Sequence, residues 1–257
     1  MNSLKGKVAL ITGVSRGNGI GFGIAKRLAS MGADLFLHSY APYDREMLSV
    51  EDHDSPEMIA RELRSDSSMV EYMEADFFDA QSPAHVMSEA VKKFRHVDIL
   101  ILNHTRDTLK GLEELTVDEI DRHLIVNVRA ALLLIQEFSR QHDGRSGGRI
   151  ILLTSGQHLG PMPHLAYVVS KGALHQLTPS LSDLFINRGI TVNTVNPGPT
   201  LTYQPSEETY HEVSKRMPLG RWGEPDDAAR LIGWLVSNEA EWVTGQVINS
   251  EGGFRRG

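Results

Sequence analysis

The chain has 257 residues, of which 40% are hydrophobic, so it can bury a sizeable core and is not a disordered protein. It has no cysteine, which excludes disulfides, thiolate metal sites and a cysteine nucleophile. Its formal net charge is -7 and no basic cluster stands out, so we expect neither nucleic acid nor a membrane surface as a partner.

Short apolar runs alternate with stretches of helical period, which is typical of βαβ units and a parallel sheet covered on both faces. The first apolar run spans only about five residues, too few for a signal-peptide core, and predicts a buried strand in a cytoplasmic protein. Seven strands are predicted, at Val8 to Ile11, Leu35 to Leu37, Val70 to Met73, Ile99 to Leu102, Ile150 to Leu153, Thr191 to Val195 and Gln246 to Ile248. The predicted helices are Ile20 to Ser30, Pro56 to Arg64, Pro83 to Phe94, Val117 to Gln141, Ala166 to Asn187 and Asp226 to Ser237.

No internal repeat divides the chain, and no linker rich in proline, glycine or serine does so either. A single domain over residues 1–257 is therefore predicted. Two irregular stretches are longer than ordinary connectors, Tyr40 to Ser55 and Pro197 to Arg221. Loops of that length are often functional lids, and we expect residues 199–217 to cover a substrate site.

A glycine-rich turn lies between the first strand and the first helix, in Thr12-Gly13-Val14-Ser15-Arg16-Gly17-Asn18-Gly19-Ile20-Gly21. Glycines let a backbone turn sharply and approach a pyrophosphate, whose charge is met by the N-terminus of the helix. The turn therefore predicts a dinucleotide site, and a tight turn without a ligand is the alternative.

Tyr167 and Lys171 stand four residues apart in a predicted helix, on one face and about 6 Å apart along its axis. A cation about 4 Å from a phenol favours the phenolate by about 4 kcal/mol at a moderate dielectric, near three pKa units. Such a tyrosine can act as an acid or base near neutral pH, although an exposed helix pair is the common alternative. Ser155 ends a buried strand twelve residues before Tyr167, where parallel sheets have their ligand crevice.

Together these motifs resemble the short-chain dehydrogenase/reductase family. The family's T-G-x-x-x-G-x-G is matched literally by Thr12, Gly13, Gly17 and Gly19. In a second register the turn is two residues longer, and Gly19-Ile20-Gly21 takes the place of the family's G-I-G. We favour the second register because it keeps Ile20, Ile24 and Leu28 on one buried helix face.

The resemblance implies that Ser155, Tyr167 and Lys171 are the catalytic residues, with Asn127 as a fourth member. Tyr167 would exchange a proton with a carbonyl oxygen that Ser155 polarises, while a hydride moves to or from a nicotinamide. Lys171 would lower the pKa of Tyr167, bind the nicotinamide ribose and pass protons toward Asn127, which holds a water in the family. Thr154 is the alternative hydroxyl, because the family's Ser to Tyr spacing is commonly one residue longer.

The second predicted strand ends without an acid that would bind ribose hydroxyls, and Arg16 resembles the basic residue of NADP-preferring family members. NADP(H) is therefore predicted, with NAD(H) as the alternative and Arg45 as a second basic candidate. Asn196 to Thr202 is similar to the family's segment beside the nicotinamide carboxamide. The predicted cofactor-binding residues are Gly13, Ser15, Arg16, Asn18, Gly19, Ile20, Ser39, Asp76, Asn103, Tyr167, Lys171, Pro197, Gly198, Thr200 and Thr202.

One segment departs from the family, because Asn103-His104-Thr105 stands where the family has N-A-G. His104 is interpreted as a steric replacement, and an extra acid/base is the alternative. No histidine cluster has metal-ligand spacing, so no metal is predicted.

The fold does not select a substrate. Similarity along the whole chain favours reduction of a 3-oxoacyl thioester, as in the family's 3-oxoacyl-acyl-carrier-protein reductases, with acyl carrier protein as a partner. A sugar or other secondary-alcohol dehydrogenase is the alternative, and an NADP(H)-binding sensor or scaffold without turnover is the alternative from another class. The family is commonly homotetrameric through its two long helices and C-terminal strand, so we expect a homotetramer.

Overall fold

The computed structural model describes residues 3–47, 55–64, 68–156 and 160–255. Within these residues seven strands form one sheet, in which every neighbouring pair is parallel and the order is β3-β2-β1-β4-β5-β6-β7. The strands are β1 (Val8–Ile11), β2 (Asp34–Ser39), β3 (Val70–Glu74), β4 (Ile99–Leu102), β5 (Gly148–Leu153), β6 (Ile190–Asn196) and β7 (Val247–Asn249). The predicted fold class, a single-domain α/β Rossmann fold with a seven-stranded parallel sheet, is confirmed.

Helices cover both faces of this sheet because successive residues of each strand point to opposite sides. On one face Ile99 and Ile101 pack with Leu28, and on the other face Leu100 and Leu102 pack in a second core. The helices of the described residues are α1 (Ile20–Ser30), α2 (Ala41–Met47), α3 (Pro56–Leu63), α4 (Ser82–Phe94), α5 (Val117–Leu124), α6 (Ala130–Gln141), α7 (Leu165–Ile186), α8 (Glu207–Lys215) and α9 (Pro225–Leu235). None of them is long and apolar enough to cross a membrane.

Two helices lie in the stretches that the sequence predicted to be irregular. α2 occupies the first part of Tyr40 to Ser55, of which residues 48–54 lie outside the described part of the chain. α8 lies within Pro197 to Arg221, where the Ser206 hydroxyl caps it by accepting a hydrogen bond from the Thr209 amide. None of the side chains of α8 is buried, so the helix lacks the apolar period that reveals a helix in a sequence.

The predicted helix Val117 to Gln141 is not one regular α-helix. A π-helical turn, Ile125–Arg129, separates α5 from α6. A π turn admits one extra residue and is frequent at functional sites. Here it places the side chain of Asn127 in the interior, with 1% of that residue exposed.

β1 lies between β2 and β4, so the chain order reverses at this point of the sheet. The chain runs from β1 to β2 on one side and returns from β3 to β4 on the other, so a crevice opens beyond the carboxyl ends of β1 and β4. The glycine-rich turn follows β1 and Asn103 follows β4, so both predicted cofactor segments lie at this crevice.

Candidate active site

The glycine-rich turn is packed closely against the residues around it. Gly13 has φ +72°, and a Cβ atom there would lie 2.8 Å from the Cα of His104. A Cβ atom on Gly21 would lie 2.4 Å from the carbonyl oxygen of Gly13, so the first turn of α1 packs against the turn with no room for a side chain. α1 begins at Ile20, and Gly19 precedes it with no side chain to cap the helix. The first amides of α1 are therefore available to an anion.

A cavity of about 310 Å³ lies beside this turn. It suits the adenosine and phosphates of a dinucleotide, because its wall combines Gly13 and Gly19 of the turn with Arg16 and the start of α1. Ser39, at the end of β2, is not part of the cavity wall, and its buried hydroxyl has no hydrogen-bond partner among the described residues. The predicted residues that line the cavity are Gly13, Ser15, Arg16, Gly19, Ile20, Asp76, Asn103 and Thr202.

Other predicted cofactor residues lie around this cavity rather than in its wall. Asn18 is exposed in the turn, and Pro197, Gly198 and Thr200 follow β6. Gly198 has φ +65°, and a Cβ atom on it would lie 2.5 Å from the Cβ of Glu251. The segment after β6 reaches the glycine-rich turn through Arg16, whose Nη1 donates to the carbonyl of Thr202 at 3.0 Å.

Sequence reasoning missed an acid beside the glycine-rich turn. Asp44, on α2, accepts a hydrogen bond from the Ser15 hydroxyl, and its second oxygen lies 3.3 Å from Arg16 Nε. The prediction concerned only the end of β2, where no acid stands. It missed Asp44 because α2 was interpreted as a loop, whereas the helix returns this carboxylate to Ser15 and Arg16. Arg45, the second basic candidate, is exposed on the same helix.

Lys171 is buried against Tyr167. Its Nζ lies 5.8 Å from the centroid of the Tyr167 ring and donates a hydrogen bond to the carbonyl of Leu153 at 2.9 Å. Burial lowers the pKa of Lys171 to about 8, while attraction to the carboxylate of Asp107 acts in the opposite direction. The amino group of Lys171 can therefore gain or lose a proton near neutral pH, as an acid/base relay requires.

Asn127 joins the loop after β4 to the helix of Tyr167. Its Oδ1 accepts from the Arg106 amide at 2.7 Å, and its Nδ2 donates to the Arg106 carbonyl at 2.9 Å. The same Nδ2 donates to the Ser170 hydroxyl at 2.8 Å, and that hydroxyl donates to the carbonyl of Tyr167 at 2.7 Å. Ser170 was missed in the sequence, although its place beside Lys171 was a signal. The predicted water at Asn127 stays a prediction.

The two neighbouring hydroxyls after β5 have different surroundings. Thr154 is buried, and its Oγ1 donates to the carbonyl of Lys171 at 3.0 Å. Ser155 is only half-buried, with its Oγ 3.7 Å from the sulfur of Met162. The hydroxyl of Thr154 is thus bonded to the backbone of α7, and the role of Ser155 stays a prediction.

His104 belongs to a buried aromatic cluster with His38 and Phe77. Its Nε2 lies 3.1 Å from the Val126 carbonyl, so Nε2 carries the proton and Nδ1 accepts from the Thr12 hydroxyl at 2.7 Å. Burial, followed by repulsion from His38 and Lys171, holds the pKa of His104 well below its usual value. A neutral ring with both nitrogens engaged opposes the acid/base alternative and favours a structural replacement.

Asp107 and His164 form a pair that the sequence did not suggest. Their Oδ2 and Nδ1 atoms lie 3.4 Å apart, joining the loop after β4 to the start of α7 one turn before Tyr167. Burial raises the pKa of Asp107, and the charge of His164 acts against that rise. The pair therefore helps to hold the two walls of the crevice together.

Comparisons with known proteins agree with this geometry. A family model described as enoyl-(acyl carrier protein) reductase matches residues 13–255. The chain is 39% identical over 260 residues to the Bacillus subtilis (strain 168) protein named uncharacterized oxidoreductase YjdA, with 100% of both chains covered. It is 33% identical over 270 residues to versicolorin reductase 1 of Aspergillus parasiticus, with 98% of both covered.

Among solved structures, a short-chain dehydrogenase from Burkholderia cenocepacia J2315 in complex with NADP has a TM-score of 0.85 and 30% identity. The alignment covers 98% of each chain. The whole-chain matches, the parallel sheet and the grouping of Tyr167, Lys171 and Asn127 lead to one assignment. The chain belongs to the short-chain dehydrogenase/reductase family of NAD(P)-dependent oxidoreductases.

Proposed function

We propose that this chain is an NADP(H)-dependent reductase of carbonyl compounds. The observation that carries the proposal is the buried Lys171 ammonium beside the Tyr167 ring. Asn127 is hydrogen-bonded to the same turn of the helix through Ser170, and the cavity at the glycine-rich turn lies nearby. A scaffold that only binds a dinucleotide has no need to bury a lysine beside a tyrosine, since burial of a charged group costs free energy.

The cofactor residues have distinct tasks in this proposal. The amides after Gly19 and the backbone at Gly13 hold the pyrophosphate, and Arg16 holds the 2′-phosphate that distinguishes NADP(H). Asp76, in the wall of the cavity, is assigned to the adenosine, and the segment from Pro197 to Thr202 is assigned to the nicotinamide. Ser39 stays a predicted contact. A bound nicotinamide supplies the hydride when a carbonyl is reduced.

Around the reacting carbonyl the chain supplies protons and polarity. The Ser155 hydroxyl donates a hydrogen bond to the oxygen, and Tyr167 transfers its phenolic proton to that oxygen as the carbon receives hydride. The charge of Lys171 stabilises the phenolate that remains. Asn127 keeps the turn of α7 in place and lies where a proton can return to Tyr167 from solvent.

The proposed substrate is a 3-oxoacyl thioester carried on acyl carrier protein. It is supported by a family model whose description names that carrier and by the match over almost the whole chain. The segment 199–217 is the proposed lid, because Thr202, near its start, lines the cavity and the chain then continues into the exposed helix α8.

A second candidate substrate is a ketone on a fused aromatic ring. It is favoured by 34% identity over 272 residues to a Metarhizium brunneum protein named hydroxynaphthalene reductase-like protein Arp2, with 98% of this chain and 96% of that one covered. The two substrates need the same chemistry from Tyr167 and Ser155, and they differ in the shape that the lid must admit.

The assay that tests the proposal follows NADPH absorbance after addition of an acetoacetyl thioester, on coenzyme A and on acyl carrier protein. A 2-enoyl thioester, a fused-ring ketone, and sugars and secondary alcohols with NADP⁺ form the comparison panel. NADPH oxidation with the acetoacetyl thioester, lost in Tyr167→Phe, is the expected result. Turnover that survives in Tyr167→Phe would contradict the role assigned to Tyr167. Turnover with only another member of the panel would show that the substrate is that compound and not the 3-oxoacyl thioester.

We also expect a homotetramer. Apolar side chains are exposed on α5, α6 and α7, the helices from which the sequence predicted association. They are Val117, Ile120, Leu124, Leu132, Val169, Leu184 and Ile186, each between 36% and 76% exposed.

A further inference from the structure

The carboxylate of Asp44 contacts Ser15 and Arg16, and the proposed function assigns Arg16 to a cofactor phosphate. Asp44 is only 7% exposed, although carboxylates are rarely buried without a partner. One of its oxygens accepts from the Ser15 hydroxyl and the other lies 3.3 Å from Arg16 Nε. A hydroxyl and a guanidinium are also the donors that a phosphate monoester takes in proteins.

The position of Asp44 is fixed by its neighbours on α2. The Tyr43 hydroxyl donates to the Asp107 carbonyl at 3.0 Å and accepts from the Asp107 amide at 2.8 Å. Glu46 lies 3.5 Å from Arg106 Nη2, and the Arg106 guanidinium lies 5.5 Å from the Tyr43 ring centroid. α2 is therefore held to the loop after β4, and Asp44 is presented to Arg16 by a braced helix.

A carboxylate and a phosphate cannot share one guanidinium at contact distance without strong repulsion, since both are anions in a partly buried place. NADP(H) brings such a phosphate on the adenosine ribose, whereas NAD(H) brings a hydroxyl there. The charge of Asp44 therefore acts on one cofactor far more than on the other.

We propose that Asp44 is a specificity-determining residue that acts against NADP(H). Resting on the proposed function, the inference is that Asp44 occupies the phosphate position on Ser15 and Arg16 in the free chain, and that NADP(H) must displace it. NAD(H) binds without this displacement. The natural preference for NADP(H) is therefore smaller than Arg16 alone would give.

The first experiment is calorimetric titration of NADPH and of NADH into wild type, Asp44→Asn and Glu46→Gln. Asparagine keeps the size of the side chain and an oxygen that accepts from Ser15, but it removes the charge. The Kd for NADPH should fall about tenfold in Asp44→Asn, with little change for NADH, because one charged contact is worth about that factor. Glu46→Gln is the matched control, since it neutralises a carboxylate of the same helix that pairs with Arg106 instead.

Arg16→Ala tests whether the effect passes through the guanidinium. In the double variant of Arg16→Ala and Asp44→Asn the gain for NADPH should vanish, because the phosphate has lost the partner that Asp44 contested. Thermal unfolding of each variant verifies that it is folded before titration.

The two proposals fail in different ways. If the wild type binds NADPH but Asp44→Asn leaves the ratio of the NADPH and NADH dissociation constants unchanged, or weakens NADPH, the role of Asp44 is wrong and the proposed function stands. If the folded wild type binds neither dinucleotide, the proposed function falls and the inference falls with it. A gain that persists in the Arg16→Ala background also overturns the inference.

Discussion

Burial brings the pKa of Lys171 close to neutral pH. Its ammonium is nearly excluded from water, and desolvation brings its pKa down to about 8 from an ordinary value of 10.5. The lysine is therefore charged below about pH 8 and neutral above it. In the proposed mechanism, only the charged form stabilises the phenolate that Tyr167 becomes when it gives up its proton.

We predict that kcat/KM for NADPH-dependent reduction falls as the pH rises through about 8, because Lys171 then loses its charge. A pH profile of initial rates measures this. Lys171→Arg is the comparison, since arginine stays charged and should move the fall to higher pH even if the rate is lower. An alkaline fall at the same pH in both proteins would contradict the assignment to Lys171.

The buried ring of His38 makes the stability of the fold depend on pH. Its ring stacks on Phe77 with centroids 3.9 Å apart, and Nε2 lies 2.9 Å from the Ala75 carbonyl. Desolvation lowers the pKa of His38 to about 4 from 6.5. The unfolded chain thus takes up this proton below pH 6.5, whereas the folded chain takes it up only near pH 4, so stability is lost as the pH falls between these values.

Between pH 7 and pH 5 we expect His38 to account for about 2 kcal/mol of the loss in the free energy of unfolding. Urea unfolding at the two pH values measures the loss in wild type and in His38→Phe. Phenylalanine can still stack on Phe77 but does not titrate, so the difference between pH 7 and pH 5 should shrink by about that amount. An equal difference in both proteins would show that His38 is protonated in the folded chain.

At the scale of elements, the contact of α1 with the glycine-rich turn leaves no room for a side chain. Gly21→Ala should lower the free energy of unfolding by about 2 kcal/mol, because its Cβ would meet the backbone of Gly13 and α1 would have to shift. Urea denaturation measures the change, and NADPH titration should show weaker binding. Gly111→Ala is the control, since a Cβ there meets only a Glu114 side-chain atom at 3.8 Å. Similar losses in both variants would refute the tight approach of α1.

The strands and long helices could be predicted because burial leaves a period in the sequence. β1 and β4 were predicted with the bounds that they have, since each is a fully buried apolar run. α8 has no buried side chain and α2 is short and polar, so neither leaves such a period. The π turn also leaves no mark, because it depends on how α5 and α6 pack rather than on residue type.

Within the site, the sequence predicted the groups that have a recognisable spacing. Tyr167 and Lys171 follow the helical repeat, and Ser155 follows a strand. Asp44 and Ser170 were missed. Asp44 lies on α2 and contacts Ser15 in the glycine-rich turn, and Ser170 is hydrogen-bonded to Asn127 and to the Tyr167 carbonyl. Contacts between elements distant in sequence exist only once the sheet has formed.

For the whole molecule, assembly should depend on the exposed side chains of α5 to α7. Leu184 is 64% exposed on α7, and Leu184→Glu should convert the expected tetramer into smaller species, because a charge would have to be buried between copies. Light scattering after gel filtration measures the mass. Leu219→Glu is the control, since Leu219 is 69% exposed but lies outside these helices. A monomeric wild type, or dissociation by both variants alike, would contradict this interface.

The π turn at Ile125–Arg129 has a consequence for how the protein can evolve. Removing one residue from the turn would restore a regular helix in which α5 and α6 keep their faces, because a π turn holds one residue more than an α turn. Such a deletion would improve the helix and at the same time withdraw Asn127 from Arg106 and Ser170. Selection for stability alone would favour the shorter chain. The extra residue is therefore expected to persist only while selection for the proposed catalysis, through the contacts of Asn127, outweighs selection for stability.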